Sequence, residues 1–325
     1  MMKIATIVPV HNRKAYIENL LAQIEEQQKV LDESVCLRLV VVDDGSTDGT
    51  SELIQRKFPS VYIVEGNGKL WWTGAIVKGM DYAIKTFDPD FFLWLNDDIS
   101  LDVHFLKNLN EVCHQAHIVR QMTGGIVRDT TYDDWIVYSG QQNGRPICDF
   151  SKFETLEAVS ADTLAGNITL ISRQIVDTVG LPDSAHFPHH GGDYTYAKRV
   201  KQAGFELAVN CTLQATTEYR LADLIRYMPY WMQWRLAIGT KERLKIIRGL
   251  TSLKANQNIW LFVHLQKADN PIFIWDYLLC YVSKLVKLMT VSLMPKDRFY
   301  IQLKRYLEAW NSPPELWMEH PLFKV

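Results

Sequence analysis

The 325-residue sequence contains no Cys-x-x-Cys pair. Its five cysteines, Cys36, Cys113, Cys148, Cys211 and Cys280, are an odd number at scattered spacings. That speaks against a zinc site and against a disulfide framework. A reducing, cytoplasmic compartment is the expectation. Internal repeats and low-complexity tracts are absent, which excludes a solenoid. With 47% hydrophobic and 22% charged residues, the composition is globular rather than disordered. No signal-peptide pattern is visible, because Met1-Met2-Lys3 leads straight into strand-like residues. An uninterrupted apolar run long enough to span a bilayer is also missing. The best candidate, IFIWDYLLCYVSKLVKLMTVSLM (272–294), is broken by Asp276, Lys284 and Lys287. No nucleic-acid-binding motif accompanies the basic residues, so no nucleic-acid partner is expected.

The overall charge of −2 conceals an asymmetry. Residues 220–325 carry 16 Lys/Arg against 8 Asp/Glu, whereas residues 1–219 carry 19 against 29. Six of the ten tryptophans (Trp231, Trp234, Trp260, Trp275, Trp310 and Trp317) also lie in that last third. At this length, one large domain plus an appendage is expected. The boundary is placed at 215/216, with an acidic, motif-rich part (1–215) before a basic, aromatic, helical part (216–325).

Residues 3–10 (KIATIVPV) form a short apolar run rich in β-branched residues, which predicts a buried strand. Ala15, Leu20, Leu21 and Ile24 then recur with helical spacing over 14–28. LRLVVVD (37–43) is a second buried strand, 48–57 a helix, VYIVE (61–65) a third strand, 74–86 a helix and FFLWL (91–95) a fourth strand. Alternating strand and helix predicts a doubly wound, mostly parallel sheet covered on both faces. Strands and turns are expected over 117–150, helices over 172–180 and 192–203, and a strand over 205–209. In such sheets ligands bind outside the carboxyl ends of the strands. Three strand ends carry polar groups to that rim: Pro9-Val10-His11-Asn12, Asp43-Asp44-Gly45-Ser46 and Asn96-Asp97-Asp98. Any one of them could be a turn or a helix cap. Three together, each ending a buried strand, point to a site.

The segments IVPVHNR (7–13), VVVDDGSTDGT (40–50), LWLNDDI (93–99) and GGDYTYAKRVKQAGF (191–205) resemble, in order and spacing, the family-2 glycosyltransferases. LWWTGAIVKGM (70–80) further resembles the branch with many bacterial rhamnosyltransferases. The resemblance covers about residues 3–210. It implies the GT-A fold, a nucleotide-diphospho-sugar donor (deoxythymidine-diphosphate-rhamnose or a uridine-diphosphate sugar), Mg²⁺ or Mn²⁺, and transfer that inverts the anomeric centre. Asp44 takes the place of the acceptor for the base imide N–H, with Pro9, His11 and Arg13 lining the base pocket. Asp98 matches the last acid of the family's metal motif. Asn96 stands where many members have an acid, so it is expected on the ribose, and Asp97 serves either ribose or structure. Asp193 matches the catalytic acid, where a carboxylate would take the proton of the attacking hydroxyl. At the head of a helix it also suits an N-cap. Where many members show Glu-Asp, this chain has Gly192-Asp193.

Lys69, Trp71, Trp72, Thr73 and Gly74 are candidates for the donor sugar pocket, although paired tryptophans also serve packing. His189 and His190 are candidates for acceptor or phosphate contact; being adjacent, they point apart and do not suggest a two-histidine metal site. The basic aromatic helices after 215 suit a membrane interface, an oligomer interface or packing on the first domain. The expected partners are a nucleotide-sugar donor and a glycan or lipid-linked glycan acceptor of surface-polysaccharide synthesis, with an anionic membrane surface and a second copy as further possibilities. The expected location is the inner face of the cell membrane, as a peripheral protein. The rival readings are a catalytically idle sugar-nucleotide-binding subunit and a nucleotidyltransferase.

Overall fold

A computed structural model describes residues 1–318 except 33, 268 and 269. The chain divides into two compact units. The first comprises Met1–Pro188 and Gly192–Glu218; the second comprises His189–Gly191 and the chain from Tyr219 onward.

The first unit runs β1 (Met2–Val10), α1 (Lys14–Gln28), β2 (Val35–Asp43), α2 (Thr50–Lys57), β3 (Tyr62–Glu65), α3 (Trp71–Phe87), β4 (Phe91–Leu95), β5 (Ser100–Leu101), α4 (Phe105–Cys113) and β6 (Gln121–Asp129). It continues through β7 (Ile136–Tyr138), β8 (Gly140–Gln142), β9 (Arg145–Pro146), β10 (Ala158–Ser160), β11 (Thr163–Leu164), β12 (Ile168–Ser172), α5 (Arg173–Val179), α6 (Gly192–Gln202) and β13 (Glu206–Thr217). The main sheet has the order β10-β13-β6-β12-β4-β1-β2-β3. β1 lies parallel to both β2 and β4, and β2 parallel to β3, as the alternating pattern predicts. β12 then enters antiparallel between β4 and β6, so the sheet is mixed beyond β4. Central strands buried on both faces lose the in–out alternation and become continuous apolar runs. Accordingly, Val40, Val41 and Val42 of β2 and Phe92, Leu93 and Trp94 of β4 are fully buried.

The Trp94 ring meets Trp72 edge-on at 5.7 Å and Tyr196 at 5.6 Å. One aromatic stack therefore joins β4, α3 and α6 in the same core. Large aromatic rings dominate such cores because each removes a large apolar area from water. Gly79 of α3 is the close-approach point: a Cβ there would lie 2.5 Å from Ile7. Glycine at this position lets α3 sit directly on β1.

The second unit is all helical among the described residues: α7 (Leu221–Tyr227), α8 (Tyr230–Leu236), α9 (Thr240–Gly249), α10 (Ile259–Gln266), α11 (Ile274–Ser292), α12 (Lys296–Ala309) and α13 (Pro314–Trp317). No single helix is long and apolar enough to cross a membrane.

Candidate active site

β1, β2 and β4 end at the same edge, because the parallel registers pair Val10 with Asp43 and Ile7 with Trp94. The residues just past these ends share one rim. On β1, His11 Nδ1 donates to the Asp44 carbonyl at 2.7 Å, and His11 Nε2 accepts from Asn12 Nδ2 at 3.2 Å. The Asn12 amide orientation follows from its oxygen, which accepts from the Thr47 backbone N–H at 2.7 Å. The His11 proton is thereby fixed on Nδ1.

The Asp44 carboxylate gathers a loop. Oδ1 accepts from the Gly68 backbone N–H at 2.8 Å, and Oδ2 from those of Leu70 and Trp71 at 2.9 and 3.0 Å. Leu70 and Trp71 open α3, whose first N–H groups have no partner within the helix. A carboxylate there also faces the positive end of the helix dipole. The loop reaches Asp44 only because it is glycine-rich: a Cβ on Gly66 would lie 2.5 Å from Asp44 Oδ1. Gly68 takes φ +77, a left-handed conformation that glycine adopts at little cost. A carboxylate offers about four acceptor positions, and three are occupied by this loop. The neighbouring Asp43 is buried and spent on its own turn, accepting from Ser46 N at 2.8 Å and from the Ser51 hydroxyl.

Arg13 was expected in a base pocket. Its Nη1 donates to Asp97 Oδ1 at 2.9 Å and to Asp98 Oδ2 at 2.7 Å. Asp97 is 6% exposed. Burial pushes its pKa up to about 7 against the pull of Arg13, and the nearby Asp98 charge adds to the rise. Burial also opposes the Arg13 guanidinium, but Asp97 and Asp98 outweigh it and raise its pKa. The two partners thus respond unequally. The direction that follows from geometry is that Asp97, sealed on a strand end beside a second carboxylate, protonates more readily than an ordinary aspartate. Asp98 is 34% exposed, and its Oδ1 takes no bond among the described residues. Its backbone carbonyl accepts from the Thr217 hydroxyl at 2.9 Å, so the end of β13 fixes this turn.

Asn96 is oriented by Trp72, whose Nε1–H donates to Asn96 Oδ1 at 2.8 Å. The same indole lies against Gly166, where any Cβ would overlap the six-membered ring. The Gly166 backbone N–H donates to Asp193 Oδ2 at 2.9 Å, and Asp193 Oδ1 accepts from Tyr194 N at 2.8 Å. Asp193 therefore holds the first turn of α6 and joins the rim through the 165–167 loop. Gly192, beside it, packs on Thr73, and a Cβ at 192 would overlap the threonine hydroxyl. A glutamate at 192 would collide with Thr73 of α3, which accounts for Gly-Asp in this chain.

This rim of carboxylates on strand ends lies within the stretch that the glycosyl transferase family 2 profile matches, residues 5–179. The chain belongs to glycosyl transferase family 2. Its sequence is 25% identical over 213 residues to the glycosyltransferase AglE of Haloferax volcanii, covering 63% of each chain. It is 28% identical over 117 residues to the poly(ribitol-phosphate) β-N-acetylglucosaminyltransferase TarS of Staphylococcus aureus, covering 36% of this chain and 20% of TarS. The match thus spans less than two thirds of either relative. In fold, the solved structure of GalNAc-T7 with UDP, GalNAc and Mn²⁺ superposes with a TM-score of 0.53 at 14% identity, covering 99% of this chain and 57% of that one.

Among the described residues of this family member, no three His, Cys, Asp or Glu side chains converge as a metal cluster. One solvent-facing carboxylate, Asp98, with an unused oxygen suits Mg²⁺ or Mn²⁺ bound chiefly through substrate phosphates and water. It does not suit a closed, protein-only cage.

The structure thus brings together Pro9, His11, Arg13, Asp44, Asn96, Asp97, Asp98, Trp72, Thr73 and Asp193 on β1, β2, β4, α3 and α6 of one unit. Trp71 contributes its backbone N–H to Asp44, Lys69 is exposed on the 66–70 loop, and Gly74 is buried in α3. His189 and His190 group with the second unit, where His190 Nε2 donates to the Lys254 carbonyl at 3.1 Å. Gly66, Gly166 and Thr217 were not anticipated. The signal for Gly166 is an isolated glycine at the mouth of a buried strand, which marks close backbone approach.

Proposed function

We propose that this chain moves a hexose from a nucleoside-diphosphate sugar to a hydroxyl of a surface-polysaccharide intermediate, with inversion at the anomeric carbon. The observation that carries this reading is the Gly166 bridge, which ties Asp193 to the same rim as Asp44, Asn96 and Asp98. A donor needs its base, ribose and diphosphate recognised side by side, and its anomeric carbon presented to a base. Asp44 Oδ1, with one acceptor position left, suits a base imide N–H. The Asn96 amide nitrogen, freed by Trp72 holding the oxygen, suits a ribose hydroxyl. Trp72 itself is spent on Asn96, Gly166 and Trp94, so its part in a sugar pocket is to shape it rather than to stack. Asp98 would hold Mg²⁺ or Mn²⁺ with the diphosphate, and the ion would supply charge neutralisation as the diphosphate leaves. Asp193 takes the acceptor proton. Deoxythymidine-diphosphate-rhamnose and uridine-diphosphate sugars are the proposed donors, and a glycan or lipid-linked glycan is the proposed acceptor. The basic, aromatic second unit is proposed to lie on an anionic membrane surface.

The test is a thermal-shift screen of nucleotide sugars with and without Mn²⁺, since a ligand of the native state raises the melting point. Nucleoside-diphosphate release and the product's anomeric configuration are then measured with the sugar that binds. A shift with no turnover on any glycan acceptor would favour an idle binding subunit. That rival has one structural point in its favour: Asp44 and Asp193 both hold backbone N–H groups and so also serve the fold.

A further inference from the structure

The second unit holds a cleft of about 460 Å³ lined by residues of α8, α10 and α11, including Tyr230, Phe262, Gln266, Leu279, Ser283 and Lys284. Lys284 is 5% exposed, yet it has no carboxylate and no hydrogen-bond acceptor among the described residues. Its ammonium lies 3.3 Å from the Phe262 ring centroid and 4.6 Å from that of Tyr230. Aromatic faces compensate a cation only in part, and a buried charge ordinarily has a partner. Burial holds the Lys284 pKa below the usual lysine range, at about 8. Gln266, which is exposed, and Tyr230 line the same cleft, and neither side chain makes a hydrogen bond to another described residue. Asp276, the one acid of the lining among the described residues, is occupied: Lys267 pairs with it at 2.7 Å and the Phe273 N–H donates to it at 2.7 Å. The cleft is thus lined by a buried cation and by two side chains able to donate, which is the complement of an anion.

A second feature adjoins it. Trp275, Leu279, Val282, Val286, Met289 and Leu293 recur every third or fourth residue and all are exposed. They form a single apolar stripe along α11, and Lys284 sits on the opposite side of the helix. Leu279 belongs to both, lining the cleft and lying on the stripe. Such spacing also suits a seam between two helices. However, α11 carries no alternating acids and bases beside the stripe, as coiled-coil flanks do. The unit's excess of basic residues also sets two copies against each other.

We propose that the cleft between α8, α10 and α11 seats the phosphate of an anionic lipid headgroup, and that the α11 stripe lies among its acyl chains. Lys284 supplies the countercharge, Gln266 and Tyr230 supply hydrogen bonds, and Leu279 marks where headgroup gives way to chain. The inference deepens the membrane part of the proposed function and rests on it.

The test uses the full chain in two assays. Calorimetry measures binding of dihexanoyl phosphatidic acid as dispersed monomer, with inorganic phosphate as the comparison. Sedimentation measures binding to phosphatidylcholine vesicles with and without phosphatidic acid. Lys284→Met should bind the short-chain lipid about ten- to a hundredfold more weakly, the loss expected for a charged hydrogen bond. It should melt no lower than the unaltered chain, because an unpaired buried charge has been replaced by an apolar side chain. Should that variant not fold, Gln266→Leu removes a donor without touching charge and should weaken binding several-fold. A Val286→Ser, Met289→Ser double variant should keep the short-chain lipid and lose the vesicles. If the unaltered chain binds anionic vesicles and Lys284→Met binds them equally, the cleft is refuted while the membrane reading stands. If the unaltered chain binds neither vesicles nor short-chain lipid, both fall. Inorganic phosphate binding as tightly as the lipid would make this a free-phosphate site and overturn the lipid assignment. Dimerisation abolished by the double variant would give the stripe to a second copy and overturn the acyl-chain part.

Discussion

At the residue scale, two short contacts decide the site, and neither involves an acidic motif alone. Gly166 carries the Trp72 indole on one side and an N–H bonded to Asp193 on the other. Gly166→Ala forces a methyl group into the indole. The ring must leave Asn96 or the loop must leave Asp193. Overpacking of this kind costs about 1–3 kcal/mol, so the melting temperature should fall and donor binding should weaken with it. An unchanged melt would show that Trp72 does not pack on this backbone. Asp193→Asn is the complementary change. Asp193 lies inside the first turn of α6 rather than at the N-cap the sequence suggested, and an asparagine of the same size can still accept one of the two N–H bonds through its oxygen. It cannot take a proton from an attacking hydroxyl, so transfer should drop about a hundred- to ten-thousandfold while donor binding persists. Near-normal transfer by the folded variant would remove Asp193 from the chemistry. Asp44 and Asp98 were legible as site candidates because each follows an apolar run that ends at a common edge, whereas Asp193 was legible only through the family resemblance of residues 191–205. Gly166 was not, since a glycine's role lies in what packs against it, and the packing partner is 94 positions away in sequence.

At the element scale, the strand–helix alternation through β4 could be read directly from periodicity. α1 and β4 occupy the expected ranges, 14–28 and 91–95. β12 could not be placed. ITLIS is a short apolar run, and periodicity alone does not say that it inserts antiparallel between β4 and β6. The final strand, expected over 205–209, runs on to Thr217 because its second half pairs with residues 126–129 of β6 after an irregularity in register. That extension delivers Thr217 to the Asp98 carbonyl. α3 begins at Trp71, three residues earlier than the predicted 74, because the Asp44 carboxylate meets the N–H groups of Leu70 and Trp71. Asp44→Ala leaves three backbone donors without their acceptor. Each such loss in a buried setting costs about 1–3 kcal/mol, less where water reaches in. Amide hydrogen exchange at Gly68, Leu70 and Trp71 should therefore accelerate while β1 and β4 stay protected. Equal protection in the variant would show that the loop is held by something else.

The β4 terminus carries its own pH dependence. The folded-state pKa of Asp97 lies near 7, and that of an unfolded aspartate near ~3.9. Between these values the folded chain holds a proton that the unfolded chain has lost. Ionisation of Asp97 therefore lowers stability as pH rises through this window, and the cost is complete above the folded pKa. Asp97→Asn removes the titration and leaves Arg13 on Asp98. The melting temperature of the variant relative to the unaltered chain should climb from about pH 4 to about pH 7 and then level off. A difference that stays flat over this range would mean that Asp97 is ionised throughout and that Arg13 outweighs burial.

At the scale of the whole molecule, the division of charge seen in the sequence coincides with a division of structure. The acidic part forms the mixed α/β unit and the basic part the helical one, with the break at Glu218–Tyr219. Composition alone cannot tell a basic helical unit that packs from one that binds a membrane. The membrane proposal rests instead on exposure, since the α11 stripe is open to solvent. If the basic unit brings the enzyme to an anionic surface, salt should affect acceptors differently according to where they reside. The Debye length shortens from about 10 Å at about 0.1 M to about 3 Å at about 1 M, which screens attraction to a charged membrane far more than it weakens apolar insertion or contacts inside a closed site. The donor's diphosphate is also charged, so donor binding will lose some strength with salt for every acceptor alike. Comparing two acceptors cancels that shared loss. The kcat/KM for an acceptor embedded in anionic vesicles should therefore fall more steeply with salt than that for a soluble acceptor of the same glycan. The excess should vanish when the vesicles are made of phosphatidylcholine alone. Parallel salt profiles for embedded and soluble acceptors on anionic vesicles would show that the basic unit does not recruit the enzyme through charge.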